Sequence, residues 1–389
     1  MHAPYSIPTR RRPRRTGPRT RTSASSIGPA MATVSSYDTA SGKRWEVRYR
    51  TPERTTTRKR GFTSKRQAQD FAATVEVEKL TGSYVAPSAG RITLGEVAEL
   101  WISSKVNLSA STRSRYRSAL DVHVLPAFRT VPIADLTRER LRRWVTAMTS
   151  TSSAATVQKN VGVLSQILDQ AVKDSRLATN PAAGLDLPRI EHEERRYLTV
   201  EQVDLLAKAA DRHAVLVYVL AYCGLRFGEA SALTVADVNL DRSRLRIHRS
   251  ATVVDGRIVV SSTKSNAGRD VPLPRFLADM LAEHIAGRVD DALVFPDSRG
   301  GWMRANNVRR RWWDQAVKGS GVPDSLTPHE LRHTAASLAI SAGASIKAVQ
   351  RMLGHSSAAL TLDRYGHLFD DDLGLVADRL HQLARPGSQ

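Results

Sequence analysis

Between residues 43 and 62 large apolar groups alternate with cations. Trp45, Val47 and Tyr49 are interleaved with charged residues in RWEVRYR, and Phe62 closes the basic run TRKRGF. A period of two predicts strands that carry one basic face. Residues 64–80 switch to helical spacing, with Ala68, Phe71, Ala72, Val75 and Leu80 on one side. A three-stranded sheet with a packed helix is therefore expected over residues 32–86. PSAG at 87–90 reads as a linker. A helical block over residues 92–180 follows, opened by a Thr93–Glu96 capping box ahead of Val97, Leu100 and Trp101. Two further apolar stripes run through it, Leu136, Leu141, Trp144, Val145, Met148 and then Val157, Val161, Leu164, Leu168, Val172. These stripes are core rather than chemistry. Pro181, Pro188 and the charged run EHEERR mark a second linker at 181–197. In residues 198–389, Thr199 and Gln202 cap a new helix, and RLRIH, TVV and RIVVSST read as strands. Asp255-Gly256 supplies a hairpin turn. A turn at 265–269 leads into DVPLP, and helices resume at Arg275. The expected fold class is mainly α with small β elements (α+β) in three folded domains, with no repeat at solenoid periods.

Composition narrows the function classes. At 389 residues the chain is too long for one small core. No apolar run approaches the roughly 20 residues of a membrane span, and the Arg-rich start lacks the apolar stretch of a signal peptide. The single cysteine, Cys223, sits in the apolar run VLVYVLAYCGL, as a reduced, buried thiol would. The net charge of +20 is the informative figure. Only seven of those cations fall in residues 1–30, so most of the excess belongs to folded surface. Nucleic acid is the favoured partner, because each neutralised phosphate releases counterions. The tail at 1–31, rich in Arg, Pro, Ser and Thr, is expected to be disordered. It is either an arm that touches DNA or a segment ahead of a true start at Met31. Candidate groove-facing cations are Arg48, Arg50, Arg58, Lys59 and Arg60 in the sheet. Arg113, Arg115, Arg117, Arg138 and Lys159 are the candidates in the helical block.

The chemistry concentrates in LTPHELRHTAASLAISAGASIKAVQRMLGHSSAALTLDRYGH at 326–367. His329 and Arg332 are three apart and share a helix face. His355 follows Gly354, and Tyr365 comes ten residues later. A phenol among cationic and neutral proton-handling groups suits attack on a phosphodiester better than attack on a carbonyl. Arg226 in AYCGLRFGEASAL, Glu229 three residues on, and Lys264 in SSTKSNAGRDVPLP complete the set. Each is weak alone.

In this order the motifs GLRFGE, TKSNAGRDVPL, LTPHELRHTAAS, LGHSS and DRYGH resemble the tyrosine recombinases, the integrase family of phages and other mobile elements. The resemblance covers roughly residues 93–369. By layout, residues 32–86 look like that family's arm-site-binding module, 92–180 like its core-binding domain, and 198–389 like its mixed α/β catalytic domain. It implies a site-specific recombinase with Arg226, Lys264, His329, Arg332, His355 and Tyr365 as catalytic residues. Tyr365 would be the nucleophile that carries a 3′-phosphotyrosyl bond, and Lys264 the acid that protonates the departing 5′ oxygen. It further implies double-stranded DNA at paired sites, a homotetramer in synapsis, and an accessory DNA-bending or directionality protein. No cofactor and no metal are implied, and the setting would be the nucleoid in a bacterial cytoplasm. A last helix carrying Leu373, Val376, Leu380 and Leu383 would pack on its own domain or dock on a neighbouring protomer.

Physical chemistry agrees with these roles. Making phenolate at neutral pH costs about 4 kcal/mol. Two guanidiniums, Arg226 and Arg332, can fork onto the non-bridging oxygens that gain charge, each worth roughly 3–4 kcal/mol. His355 can donate one more hydrogen bond, His329 can help take the Tyr365 proton, and Glu229 is placed to hold Arg226. Other readings are a resolvase or type IB topoisomerase-like strand transferase, and a DNA-binding protein without catalysis. A third is a zinc peptidase, because HELRH matches HExxH through His329, Glu330 and His333. Ala336 and Ala339 stand where the metzincin extension needs Gly and His, and no Glu follows Glu330 to act as a third ligand.

Overall fold

Three antiparallel strands, β1 (Thr33–Thr39), β2 (Gly42–Arg50) and β3 (Thr56–Phe62), take up the alternation read above, in the order β1-β2-β3. The computed structural model describes residues 31–86, 88–191, 197–262 and 268–369, together with 377, 380, 381 and 384. Helix α1 (Lys65–Thr81) packs on one face of the sheet, where Val47, Tyr49, Ala68, Ala72, Val75 and Tyr84 form a small core. Ser64 caps α1 by accepting the Gln67 amide. Leu80 does not join that core and is 86% exposed. Twelve steps of about 100° place it well round the helix from Ala68.

By density of contacts the chain divides into two compact units. One holds residues 1–101, 128–146 and 164–186, and the other 102–127, 147–163 and 187–389. The helical block is shared between them. It comprises α2 (Leu94–Ser104), α3 (Ala110–Ala119), α4 (Leu125–Phe128), α5 (Arg138–Thr149) and α6 (Ala154–Lys173). The Thr93–Glu96 box forms, with the Glu96 carboxylate accepting from the Thr93 amide at 2.9 Å and hydroxyl at 2.7 Å. These two bonds hold the Glu96 carboxyl below the usual carboxylate range. Leu136, Leu141, Val145 and Met148 are buried, as are Val157, Val161, Leu164 and Leu168.

The rest of the second unit is built round α8 (Ala214–Cys223), which follows α7 (Val200–Ala209) and is apolar on all sides. Such a helix must be covered everywhere, and Leu216, Val217, Val219, Leu220 and Ala221 are all buried. Cys223 lies among them, and burial pushes its thiol pKa up to about 12, so it is an inert apolar group. The short helix α9 (Phe227–Ser231) comes next, then β4 (Val238–Asn239), β5 (Arg244–Ile247), β6 (Arg249–Val254), β7 (Arg257–Ser262) and β8 (Arg269–Pro272). β4-β5-β8 form one sheet and β6-β7 a hairpin. Asp255 and Gly256 both take positive φ at its turn, as an Asp-Gly hairpin requires. Helices α10 (Arg275–Ile285), α11 (Ala305–Val308), α12 (Asp314–Ser320), α13 (Glu330–Ser341), α14 (Ile346–Leu353) and α15 (Ala358–Tyr365) complete the unit. Leu380 is exposed and helical, whereas Leu373, Val376, Leu383 and the tail at 1–30 lie outside the described residues. No described helix is long and apolar enough to cross a membrane.

Candidate active site

Gly224 ends α8 in the left-handed conformation, and the chain turns there to present Arg226 at the start of α9. A side chain at Gly224 would come within 2.8 Å of the Leu353 Cδ2. Glu229, 2% exposed, folds back on Arg226, accepting from its amide at 2.8 Å and its Nη1 at 2.9 Å. A second guanidinium meets the same carboxylate in a fork. Arg269 Nη1 and Nη2 reach its two oxygens at 3.0 and 2.7 Å. Burial alone would raise the Glu229 pKa, but the bonds and charge of Arg269, then those of Arg226, outweigh it and keep the carboxyl low. Arg269 Nε also donates to the Met352 carbonyl at 2.9 Å, which ties β8 to the end of α14. Gly354 has φ +64°, and a Cβ there would lie 3.0 Å from Arg269 Cδ, so glycine admits that guanidinium.

Arg332 on α13 is 2% exposed. Its Nη1 donates to the Gly224 carbonyl at 2.6 Å, and its Nη2 to the Leu353 carbonyl. Burial, and then the charge of Arg226, pulls its pKa down to about 9, which still leaves it cationic at neutral pH. His355 is 7% exposed. Its Nδ1 lies 3.0 Å from the Thr361 hydroxyl, and its ring is parallel to that of Tyr365 with centroids 6.3 Å apart. Burial, then Arg332, Arg364, Arg226 and Arg269, lower its pKa to about 4, so the ring is neutral at pH 7. His329 precedes α13 and keeps one edge in solvent. Burial of its other sides, then the charges of Arg332, Arg226 and Arg364, lower its pKa as well.

Tyr365 closes α15 and is fully buried among Ala336, Ile340, Val349 and Leu353. Its hydroxyl lies 2.7 Å from His333 Nδ1. Here the geometry departs from the sequence reading. His329 was expected to help take the Tyr365 proton, yet it is His333 whose Nδ1 lies within hydrogen-bond distance of the hydroxyl. The reason is position along the helix: His329 stands just before α13, whereas His333 lies about one turn further on, where the Tyr365 hydroxyl at the end of α15 meets it. Glu330 accepts from the Thr327 amide at 2.5 Å and so acts as a helix-start cap within HELRH.

Arg226, Glu229, Arg332, His329, His355 and Tyr365 are thus brought together from segments far apart in sequence, while Lys264 lies outside the described residues. Sequence reading missed Arg269, His333 and Thr361. Arg269 and His333 stood inside quoted motifs, RDVPL and HELRH. Thr361, facing His355 from α15, gave no signal.

The candidate DNA-facing cations divide. Arg48 and Arg58 are exposed and directly opposite each other across β2 and β3, and Arg60 pairs with Glu46 at 2.6 Å on the same face. Lys59 does not share that face. It pairs with the buried Val47, and its ammonium sits over the Phe71 ring at 4.3 Å. Arg50 Nε is engaged by the Arg54 carbonyl at 2.9 Å. Arg113 donates to the carbonyls of Ile102 and Lys105. Arg138 reaches those of Ala183 and Gly184. Arg115 and Lys159 are exposed.

Comparison with known proteins places this arrangement. Residues 196–371 match the phage integrase family, and residues 94–187 the phage integrase central domain. Tyrosine recombinase XerC of Corynebacterium efficiens is 30% identical over 66% of this chain and 81% of its own length. The chain is a tyrosine recombinase of the phage integrase family. This recombinase is also 29% identical, over 88% of its length, to a protein named as a prophage phiRv2 integrase in Mycobacterium tuberculosis, 93% of which is covered. The Tn1549 transposon integrase, solved with a circular intermediate DNA, shares the fold at a TM-score of 0.64 and 20% identity. That match covers 74% of this chain and 99% of the solved chain, which spans residues 82–397 of the transposon protein. A lambda integrase dimer bound to a core site matches at 0.56 and 19% identity, over 85% and 93%. The recombinase is thus a site-specific enzyme that cuts and rejoins DNA.

Proposed function

We propose that this recombinase moves a prophage or other integrated element by joining Tyr365 to a DNA 3′ phosphate at paired double-stranded sites. The observation that carries the reading is the Tyr365 hydroxyl, buried on α15 beside His333 and His355 in a pocket whose charge is set by Arg332 and Arg226. Arg226 and Arg332 neutralise the non-bridging oxygens, and Glu229, held by Arg269, fixes how Arg226 is aimed. In the tautomer of neutral His355 whose Nδ1 accepts from Thr361, the ring proton sits on Nε2 and is a further donor. His329 adds a polar edge beside both guanidiniums. Lys264, between β7 and β8, protonates the 5′ oxygen. The phosphotyrosyl bond keeps the phosphodiester energy, so rejoining requires neither ATP nor a metal.

In this reading residues 32–86 bind arm sites through the face of Arg48, Arg58 and Arg60, and residues 92–180 and 198–389 grip the core site. Four copies act together in the bacterial cytoplasm at the nucleoid, with the segment after Phe369 docking between copies. An accessory DNA-bending or directionality protein sets the outcome. The test is a plasmid carrying the junction sequence beside the chain's own gene together with its partner site. Recombinant product that depends on both sites is expected. Relaxation of supercoils without either site would instead make the chain a topoisomerase-like strand transferase.

A further inference from the structure

We propose that His333, rather than His329, receives the Tyr365 proton when the phenol attacks DNA. The inference rests on Tyr365 being the nucleophile. His333 Nδ1 lies 2.7 Å from the phenolic oxygen, and the two rings are tilted at 55° with centroids 5.7 Å apart. That distance is a hydrogen bond between the reacting atom and a base. His329 packs edge to face on His333, with ring centroids 5.6 Å apart. His355 presents its ring parallel to the tyrosine, and its Nδ1 is engaged by Thr361. His333 is also the residue next to Arg332, whose guanidinium is anchored to two backbone carbonyls. The base and one arm of the phosphate clamp therefore sit on one rigid turn of α13, and their separation is fixed before DNA arrives.

Neutral His333 carries its proton on Nε2. As the Tyr365 oxygen bonds to phosphorus, its proton passes to Nδ1 and His333 becomes imidazolium. The bond from phosphorus to the 5′ oxygen breaks, and that oxygen keeps the electron pair and takes a proton from the acid on the leaving-group side. On rejoining, the 5′ hydroxyl gives its proton back to that group as its oxygen bonds to phosphorus, the phenolic oxygen leaves, and His333 Nδ1 returns its proton to it.

The experiment uses the full-length protein and nicked suicide duplexes carrying the junction sequence beside its gene. One duplex has an ordinary phosphodiester at the cut, and the other a 5′-bridging phosphorothiolate whose leaving group needs no acid. Adduct formation by His333→Ala is expected to slow by roughly 10²–10⁴-fold on both duplexes, with unchanged DNA affinity and partial rescue by added imidazole. His333→Gln keeps a polar contact to the hydroxyl but cannot accept a proton, and is expected to be as slow as His333→Ala. His329→Gln, which leaves the His333 base in place, is expected to slow adduct formation less than His333→Gln does. Should His333→Ala fail to fold, His333→Gln carries the test alone. Parental rates in His333→Gln would overturn the proposal, as would a defect confined to the ordinary phosphodiester. Adduct formation by Tyr365→Phe would instead remove the reading on which it rests.

Discussion

Arginine is put to opposite uses in the two units. In the pocket, Arg332 is buried and Arg269 half-buried, and both donate to main-chain carbonyls, so their charge is partly desolvated and held in place before any phosphate binds. On the amino-terminal sheet, Arg48 and Arg58 are exposed and face each other across two strands, a like-charge pairing that costs the fold a few tenths of a kcal/mol. In the proposed function the difference separates two tasks. Fixed charge in a dry pocket stabilises a transition state. Exposed charge that repels itself is relieved by a polyanion, and supplies affinity that depends on salt.

Three experiments sharpen or break this contrast. The largest effect belongs to Arg332→Lys, which keeps the charge and loses the fork that bridges α8, α13 and α14. Adduct formation is expected to fall by about 10²–10³-fold, and urea unfolding should show a loss of roughly 2–4 kcal/mol as buried carbonyls lose their donors. An intermediate effect follows from pH. The pKa of His355 is about 4 in the fold against 6.5 when unfolded, so the unfolded chain takes up the proton first. Its contribution is full above pH 6.5 and is lost as pH falls towards 4, by about 3 kcal/mol at most. His355→Gln should flatten that part of the stability profile, measured by unfolding at pH 7 and pH 4.5. The smallest effect is expected for Arg48→Ala with Arg58→Ala. The cleavage rate at saturating DNA should not change, while the slope of log affinity on log salt should shrink by about 1–2. A cleavage defect at saturation would erase the distinction between the two kinds of arginine.

Much of the fold was legible because its signals are local. The alternation in RWEVRYR, the Thr93–Glu96 and Thr199–Gln202 boxes and the Asp-Gly turn each encode their own geometry within a few residues. The candidate site was legible as a set of residue types in order, but not as contacts. HELRH places one histidine just before α13 and one on it, and which of them meets Tyr365 depends on where the end of α15 sits. Arg269 read as one more cation in a turn, since its bond to Glu229 closes a separation of 40 residues. The facing of Lys59 was misjudged because a bulge between Trp45 and Glu46 shifts the register of β3 on β2. That shift leaves Lys59 on the helix side and Arg58 and Arg60 on the other.

The central claim is that Tyr365 becomes covalently joined to DNA. It is tested most directly by trapping the complex on a suicide duplex, digesting it with trypsin and nuclease, and mapping the modified peptide by mass spectrometry. The account predicts a nucleotide on the phenolic oxygen of Tyr365 and no adduct from Tyr365→Phe. A nucleotide on any other side chain, or an undiminished adduct from Tyr365→Phe, would contradict it.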